Sequence, residues 1–181
     1  MGDGDGVTIG GNHFIHTARR NMDITAIITN NFNYGMTGGQ YSASSPEGSR
    51  SNTSPFGTVE DGFDICDLSI ASGATFVART TPYHIRQMDQ IVTQAIAHKG
   101  FSVVEIYSVC PTYYSRYNYN YTTVEMLEHF KHTAVNKKTY DTLTDEDKKD
   151  RFPIGILHHE EKEDFHTKYR RMLDQCRQDR S

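Results

Sequence analysis

The chain has 181 residues, enough for one globular domain with a substantial core but not comfortably for two. Its formal net charge is -4 with acidic and basic residues intermixed, so it lacks the basic stripe that a phosphate backbone requires, and nucleic acid is excluded as an expected partner. No apolar run approaches the ~20 residues of a membrane span and no signal-type segment precedes Gly2; the three widely spaced cysteines, Cys66, Cys110 and Cys176, suit a reducing compartment better than a disulfide framework, so the expected location is cytoplasmic, without a membrane partner.

Taken in chain order, apolar periodicity alternates between short β-rich runs and longer helical ones, which predicts an α/β fold with a mostly parallel sheet flanked by helices. Residues Ile9 to Arg20 read as a helix behind a glycine turn, and Asp23 to Thr29 as a short β-branched strand buried on both faces. Residues Asn30 to Gly62, rich in Gly, Ser, Asn, Thr and Pro, form a loop too long for an ordinary connection, and loops of that length are usually functional. Phe63 to Ser72 then reads as a helix stopped by Gly73, Thr75 to Arg79 as a strand, His84 to His98 as a helix stopped by Gly100, and Phe101 to Val109 as a second buried strand. Beyond Cys110 the pattern weakens into a Tyr/Asn stretch from Tyr113 to Tyr121, a helix near Thr123 to Thr133, a charged segment from Asp141 to Arg151 and a last helix near Lys162 to Gln178. The expected organisation is a core over 1–122 and a peripheral helical extension over 123–181 packing on it.

The opening MGDGDGVTIGG imitates two phosphate or metal motifs and fits neither. A G-x-G-x-x-G fingerprint puts Val7 or Ile9 where the third glycine belongs, and a calcium loop puts Met1 and Asn12 in the first and twelfth slots. The remaining reading pairs Gly2-Asp3-Gly4 with Asn30-Asn31, one strand further on. Singly, the first is an ordinary turn and the second an ordinary strand exit. Together, one βαβ step apart, they offer a carboxylate, an amide oxygen and a backbone carbonyl, hard oxygen donors of the kind that suit Mg²⁺ with a diphosphate completing the shell. Glycines let the backbone approach such phosphates, and a helix start near Ile9 would aim amides at them.

The words GDGD, IGGNHFIH, RRN, NNFNYGMTGGQ, FDIC, SGATFVAR and VCPTYY, in that order, resemble the β subunit of the 2-oxoacid:ferredoxin oxidoreductases, and YGMTGGQ resembles the 2-oxoglutarate group most. The likeness is dense from Gly2 to about Arg116 and continues through VEML and PIGIL to the last helix. It implies a thiamine-diphosphate-binding fold, N-terminally incomplete. It further implies that Asp3 and the Asn31 side chain coordinate Mg²⁺ with the Asn33 main-chain carbonyl. Gly4, Asp5, Gly35, Met36 and Thr37 would contact thiamine diphosphate, Met36 lying under the thiazolium and Thr37 to Gln40 closing over it. Some family members carry a lysine where this chain has Gly38. Cys110 would supply one thiolate of a [4Fe-4S] cluster whose other three ligands belong upstream of GDGD, so that the chain is expected to begin in mid-domain.

The activity implied is oxidative decarboxylation of a 2-oxoacid, 2-oxoglutarate by the YGMTGGQ likeness, with coenzyme A taking the acyl group and ferredoxin the electrons. The partners implied are an α subunit, which would bring the glutamate that activates the aminopyrimidine, and γ and δ subunits as further candidates. Two other functions compete: a non-redox thiamine-diphosphate decarboxylase or carboligase, and a catalytically silent subunit that only assembles. Other conspicuous residues have plain readings. His13 and His16 are packing or capping residues, with a cofactor contact open to His13. Cys66 is a small buried hydrophobe, His158 and His159 are solvated surface, and the Tyr113 to Tyr121 aromatics are equally an interface or a loop.

Overall fold

The computed structural model describes residues 1–179. Its centre is a five-stranded sheet in the order β1-β5-β4-β7-β6. Strands β1 (Ile24–Asn30), β4 (Phe76–Thr80) and β5 (Phe101–Tyr107) run parallel, so their carboxyl ends share one edge of the sheet. Two short strands in the long loop, β2 (Asn33–Tyr34) and β3 (Gln40–Tyr41), form a separate antiparallel ribbon just beyond that edge.

Helices cover both faces. On one, α1 (Gly11–Arg20) and α2 (Ile65–Ser72) pack Phe14, Ala18, Ile65 and Cys66 against Ala26, Ile28, Val77, Phe101 and Val103. On the other, α3 (Ile85–Ala97) packs Ile91 and Ala95 against Phe76, Ala78 and Val104. Strands β4 and the first part of β5 are buried on both sides, as their continuous apolar runs predict. Strand β1 differs from that expectation. It lies at the edge of the sheet and alternates in burial, with Ala26 and Ile28 inward while Ile24 and Thr29 are exposed.

The helix expected from Ile9 is two pieces: a π-helical turn over Gly4–Ile9, closed by the Gly10 amide donating to the Asp5 carbonyl at 2.9 Å, and then α1. Helix α2 starts where Asp64 caps it, its side chain accepting from the Asp67 amide at 2.9 Å, and stops at Gly73 with φ +97°.

The largest departure lies in the last third. After α4 (Tyr114–Asn118) and α5 (Thr123–Thr133) come strand β6 (Ala134–Asn136), short helices α6 (Lys137–Tyr140) and α7 (Asp145–Lys148), strand β7 (Phe152–His159) and helix α8 (Phe165–Gln178). Strand β7 runs antiparallel against β4, so the chain after 122 contributes to the central sheet as well as adding helices. His159 is exposed, as expected, although one side of its ring packs 5.7 Å from Phe76 and 5.3 Å from His98.

Candidate functional site

The parallel register brings Asn30 beside Tyr107 and Arg79 beside Glu105, and the chain leaves β1 through Asn31 at that edge. Gly2 forms a parallel bridge with Thr29 on the far side of β1, which delivers Asp3 to the same place. Asp3 is buried. Its Oδ2 accepts from Ser42 Oγ at 2.5 Å and Ser44 Oγ at 2.7 Å, while Oδ1 has one longer contact, 3.3 Å from the Asn31 amide.

Asn31 Oδ1 accepts from the Asn33 amide at 3.2 Å, and the Asn33 carbonyl accepts from the Gly35 amide at 3.1 Å. Asn33 is itself 3 % exposed, and its Oδ1 is a buried oxygen without a partner among the described residues. A buried orphan acceptor of this kind calls for a donor or a cation.

Gly4 has a specific reason to be glycine. A Cβ on Gly4 would stand 2.3 Å from the Tyr34 ring, whose hydroxyl donates to the Gly4 carbonyl at 3.2 Å. A Cβ on Gly35 would stand 3.5 Å from Asn31 Nδ2 and 3.6 Å from Cys110 Sγ, so the backbone there runs close to both. Thr37 donates to Gln40 Oε1 at 2.7 Å, and Gln40 Nε2 returns a bond to the Thr37 carbonyl at 2.8 Å, which closes the ribbon turn.

Eight of the nine residues picked out in the sequence, all but Cys110, line one cavity of about 250 Å³. Met36 stands at its rim with its side chain fully exposed. A larger hollow of about 510 Å³, between Thr8, Ser42 and Phe63, lies behind the long loop and gathers none of those nine residues. His13 lines a third hollow of about 260 Å³ together with Phe14 and Phe101, which shares Asp5 with the Asp3 cavity.

Cys110 is half-buried beside Gly35, Cys66 is fully buried in the core, and Cys176 is exposed on α8. Among the described residues no group of three metal-capable side chains includes Cys110. Asp64, Cys66 and Glu105 do lie together, but the Arg79 guanidinium already fills that space, 2.7 Å from Glu105 and 2.6 Å from Asp64. His98, His159 and Glu161 gather near the opposite, amino-terminal edge of the sheet.

Glu105 and Arg79 are 0 % and 2 % exposed, an ion pair in the middle of otherwise apolar strands. Burial pushes the Cys66 thiol up, and it donates to Glu105 Oε2 at 3.2 Å. Burial also acts to raise Asp64, but Arg79 outweighs it and holds the Asp64 carboxyl below the usual carboxylate range. These residues and the Ser42/Ser44 pair do not emerge from motif reading. The available signal was one charge in each of two apolar runs, FVART and FSVVEIY, of opposite sign at positions a parallel register can pair.

The Tyr/Asn stretch clasps the long loop. Tyr117 donates to Asn52 Oδ1 at 2.7 Å, Asn118 exchanges bonds with the Arg50 backbone at 2.7 and 3.0 Å, and the Tyr113 ring packs where a Cβ on Gly39 would stand, 2.6 Å away.

Residues 1–106 match the family described as thiamine pyrophosphate enzyme, C-terminal TPP binding domain. The chain belongs to that family. It is 38 % identical over 176 residues to the 2-oxoglutarate synthase subunit KorB of Methanocaldococcus jannaschii, covering 97 % of this chain and 65 % of that one. It is 56 % identical over 113 residues to the KorB subunit of Archaeoglobus fulgidus, covering 62 % of this chain and 42 % of that one. Among solved structures it resembles the 2-oxoglutarate:ferredoxin oxidoreductase of Magnetococcus marinus with 2-oxoglutarate, coenzyme A and succinyl-CoA bound, with a TM-score of 0.81 and 26 % identity over 97 % of this chain and 60 % of that one. The chain therefore spans less than two thirds of the length of each of these relatives. No helix among the described residues is long and apolar enough to cross a membrane.

Proposed function

We propose that the chain supplies the Mg²⁺ and thiamine diphosphate site of a 2-oxoacid:ferredoxin oxidoreductase β subunit, acting in the cytoplasm on 2-oxoglutarate with coenzyme A. The observation that carries this reading is the cavity at the carboxyl edge of the sheet. There, a buried carboxylate with an under-used Oδ1 and two asparagine amides, one of them with an orphaned oxygen, face glycine backbone. Hard oxygen donors beside open backbone fit a small divalent cation and a diphosphate.

Asp3 Oδ1 and Asn31 would hold the metal, with Asn33 giving its carbonyl or the free Oδ1. Gly4, Asp5, Gly35 and Thr37 would lie against the diphosphate end, and the exposed Met36 would meet the apolar ring. When bound, the cofactor would serve as the sink for the electron pair left on the 2-oxo carbon as the neighbouring carboxylate departs as carbon dioxide. The chain's own work is to bind and orient it and to keep its diphosphate anchored. A ferredoxin-linked reaction also needs an iron–sulfur path. Cys110, beside Gly35, is a suitable single thiolate, and the remaining ligands and the aminopyrimidine-activating glutamate fall to other polypeptide, including an α subunit.

The test is calorimetric titration of the assembled enzyme with thiamine diphosphate, with and without Mg²⁺. Asp3→Ala should abolish the Mg²⁺-dependent binding, and unchanged affinity would reject the assignment. Turnover with coenzyme A and a viologen acceptor should favour 2-oxoglutarate over pyruvate; carbon dioxide release without acceptor reduction would favour a non-redox decarboxylase instead. The 181-residue chain alone, with three cysteines, should hold no stable [4Fe-4S] cluster after anaerobic reconstitution. About four irons per chain would contradict that.

A further inference from the structure

The carboxylate of Asp3 is the near end of a row of buried polar groups that crosses three strands. Ser44 Oγ, which meets Asp3 Oδ2, also lies 3.1 Å from Asn30 Oδ1. Asn30 is 1 % exposed and its amide orientation is fixed, because Nδ2 donates to Glu105 Oε1 at 2.8 Å while Oδ1 accepts from the Phe32 amide at 3.1 Å. Glu105 Oε2 accepts from Arg79 Nε at 2.7 Å, and Arg79 Nη2 reaches both Asp64 oxygens at 2.6 Å. The path thus runs from the end of β1 through β5 and β4 to the cap of α2.

Buried ion pairs are weak contributors to stability, since well-packed apolar residues commonly replace them at no loss. What distinguishes this one is its attachment. Asn30 Oδ1 brings it to 3.1 Å from Ser44 Oγ, whose single proton goes to Asp3 Oδ2 at the shorter distance of 2.7 Å; with Ser42 donating to the same oxygen at 2.5 Å, Oδ1 is left as the oxygen with spare capacity.

We infer that Ser42 and Ser44 are positioning residues that fix the Asp3 carboxylate to present Oδ1 alone to the metal. The inference rests on the metal-site reading proposed above. Outer-shell partners of this kind hold a ligand in one orientation, and their loss costs about 10- to 100-fold in metal affinity.

The experiment measures binding of Mn²⁺, as the paramagnetic probe for Mg²⁺, to the assembled enzyme with thiamine diphosphate present. Free Mn²⁺ is read by electron paramagnetic resonance, so the readout is independent of turnover. Ser44→Ala, and Ser42→Ala as the second variant should the first fail to fold, are expected to weaken Mn²⁺ binding by about 10- to 100-fold. Asp64→Asn, which loosens the far end of the same row, should lower the melting temperature with Mn²⁺ affinity unchanged. Unchanged or tighter binding in the serine variants would overturn the inference, and so would an equal loss in Asp64→Asn, which would make the effect a general loosening. If Asp3→Ala itself leaves Mn²⁺ affinity intact, the metal-site reading fails instead.

Discussion

The two ends of the parallel strands both bury polar groups, and they do so in opposite ways. At the amino ends, Asn21 stands at φ +52° with neutral partners on every side. Its Oδ1 accepts from the Phe101 amide at 2.8 Å and Thr75 Oγ1 at 3.0 Å, and Nδ2 donates to the Lys162 and Glu163 carbonyls at 3.3 Å. That arrangement ties α1, β4, β5 and the segment before α8 together and pairs both ends of the Asn21 amide, the one orphan nearby being the neutral hydroxyl of Ser102. At the carboxyl ends the buried groups are charged, one amide oxygen has no partner, and the network ends at an open cavity. Satisfied neutral polarity stabilises a junction, whereas charged and incompletely satisfied polarity marks a place where something else binds.

The sharpest way to break this contrast is Glu105→Ala. Leaving Arg79 buried without its inner partner should cost about 3–5 kcal/mol in a denaturant melt. A loss below 1 kcal/mol would mean the strand ends are better hydrated than their burial implies. Next in size, Asn21→Ala strands the Phe101 amide and should cost about 1–3 kcal/mol, with cofactor affinity unchanged. A loss of affinity there would show that the two ends are coupled.

Acid should act at both ends, through His84 just after β4 and His98 at the amino end, both held below the ordinary histidine value by burial. Burial holds His98 below its ordinary value of 6.5, with His159 adding to the effect. A histidine with a lowered folded-state pKa contributes stability that is complete above 6.5 and is lost as pH falls through the folded value. Asp64, held low against Arg79, contributes stability that persists until pH drops below the ordinary 3.8. Melting temperatures should therefore decline from just below pH 6.5 downward, and by less in His98→Gln. The same slope in both proteins would remove His98 from the account.

The smallest expected change is in the ligand-free melting temperature of Asp3→Ala, which should not fall. The substitution removes a buried charge, and Ser42 and Ser44, 3.0 Å apart, can pair with each other. A marked drop would show Asp3 to be structural in its own right.

What could be read from the sequence tracks how far apart the cooperating residues lie. Gly4, Asp3, Asn31 and Gly35 sit on the two segments flanking one strand, so short words with fixed spacing carry them, and helix α3 follows from its apolar period while α5 also has a Thr122/Glu125 capping box. Asn30 and Glu105 are 75 positions apart and meet only because β1 and β5 settle in one register. Strand β7 was hidden for another reason. Its run FPIGILHH carries an early proline, a glycine at φ +109° and two histidines, so it lacks strand propensity and owes its conformation to the waiting edge of β4. The clasp of the long loop by Tyr117 and Asn118 is likewise invisible until the two meet in space.

That waiting edge has a consequence for synthesis. Strand β4 is complete by residue 80, but the partner for its outer side arrives only with residues 152 to 159. At roughly 5–20 residues per second, a nascent chain carries an open, largely apolar strand edge for several seconds before its last neighbour emerges. The long sequence separation makes this pairing slow as well as late. The chain should thus depend on chaperone cover, or on early docking of another polypeptide, during that interval, and ribosome-bound intermediates stalled between residues 80 and 152 should aggregate more readily than those released after 159.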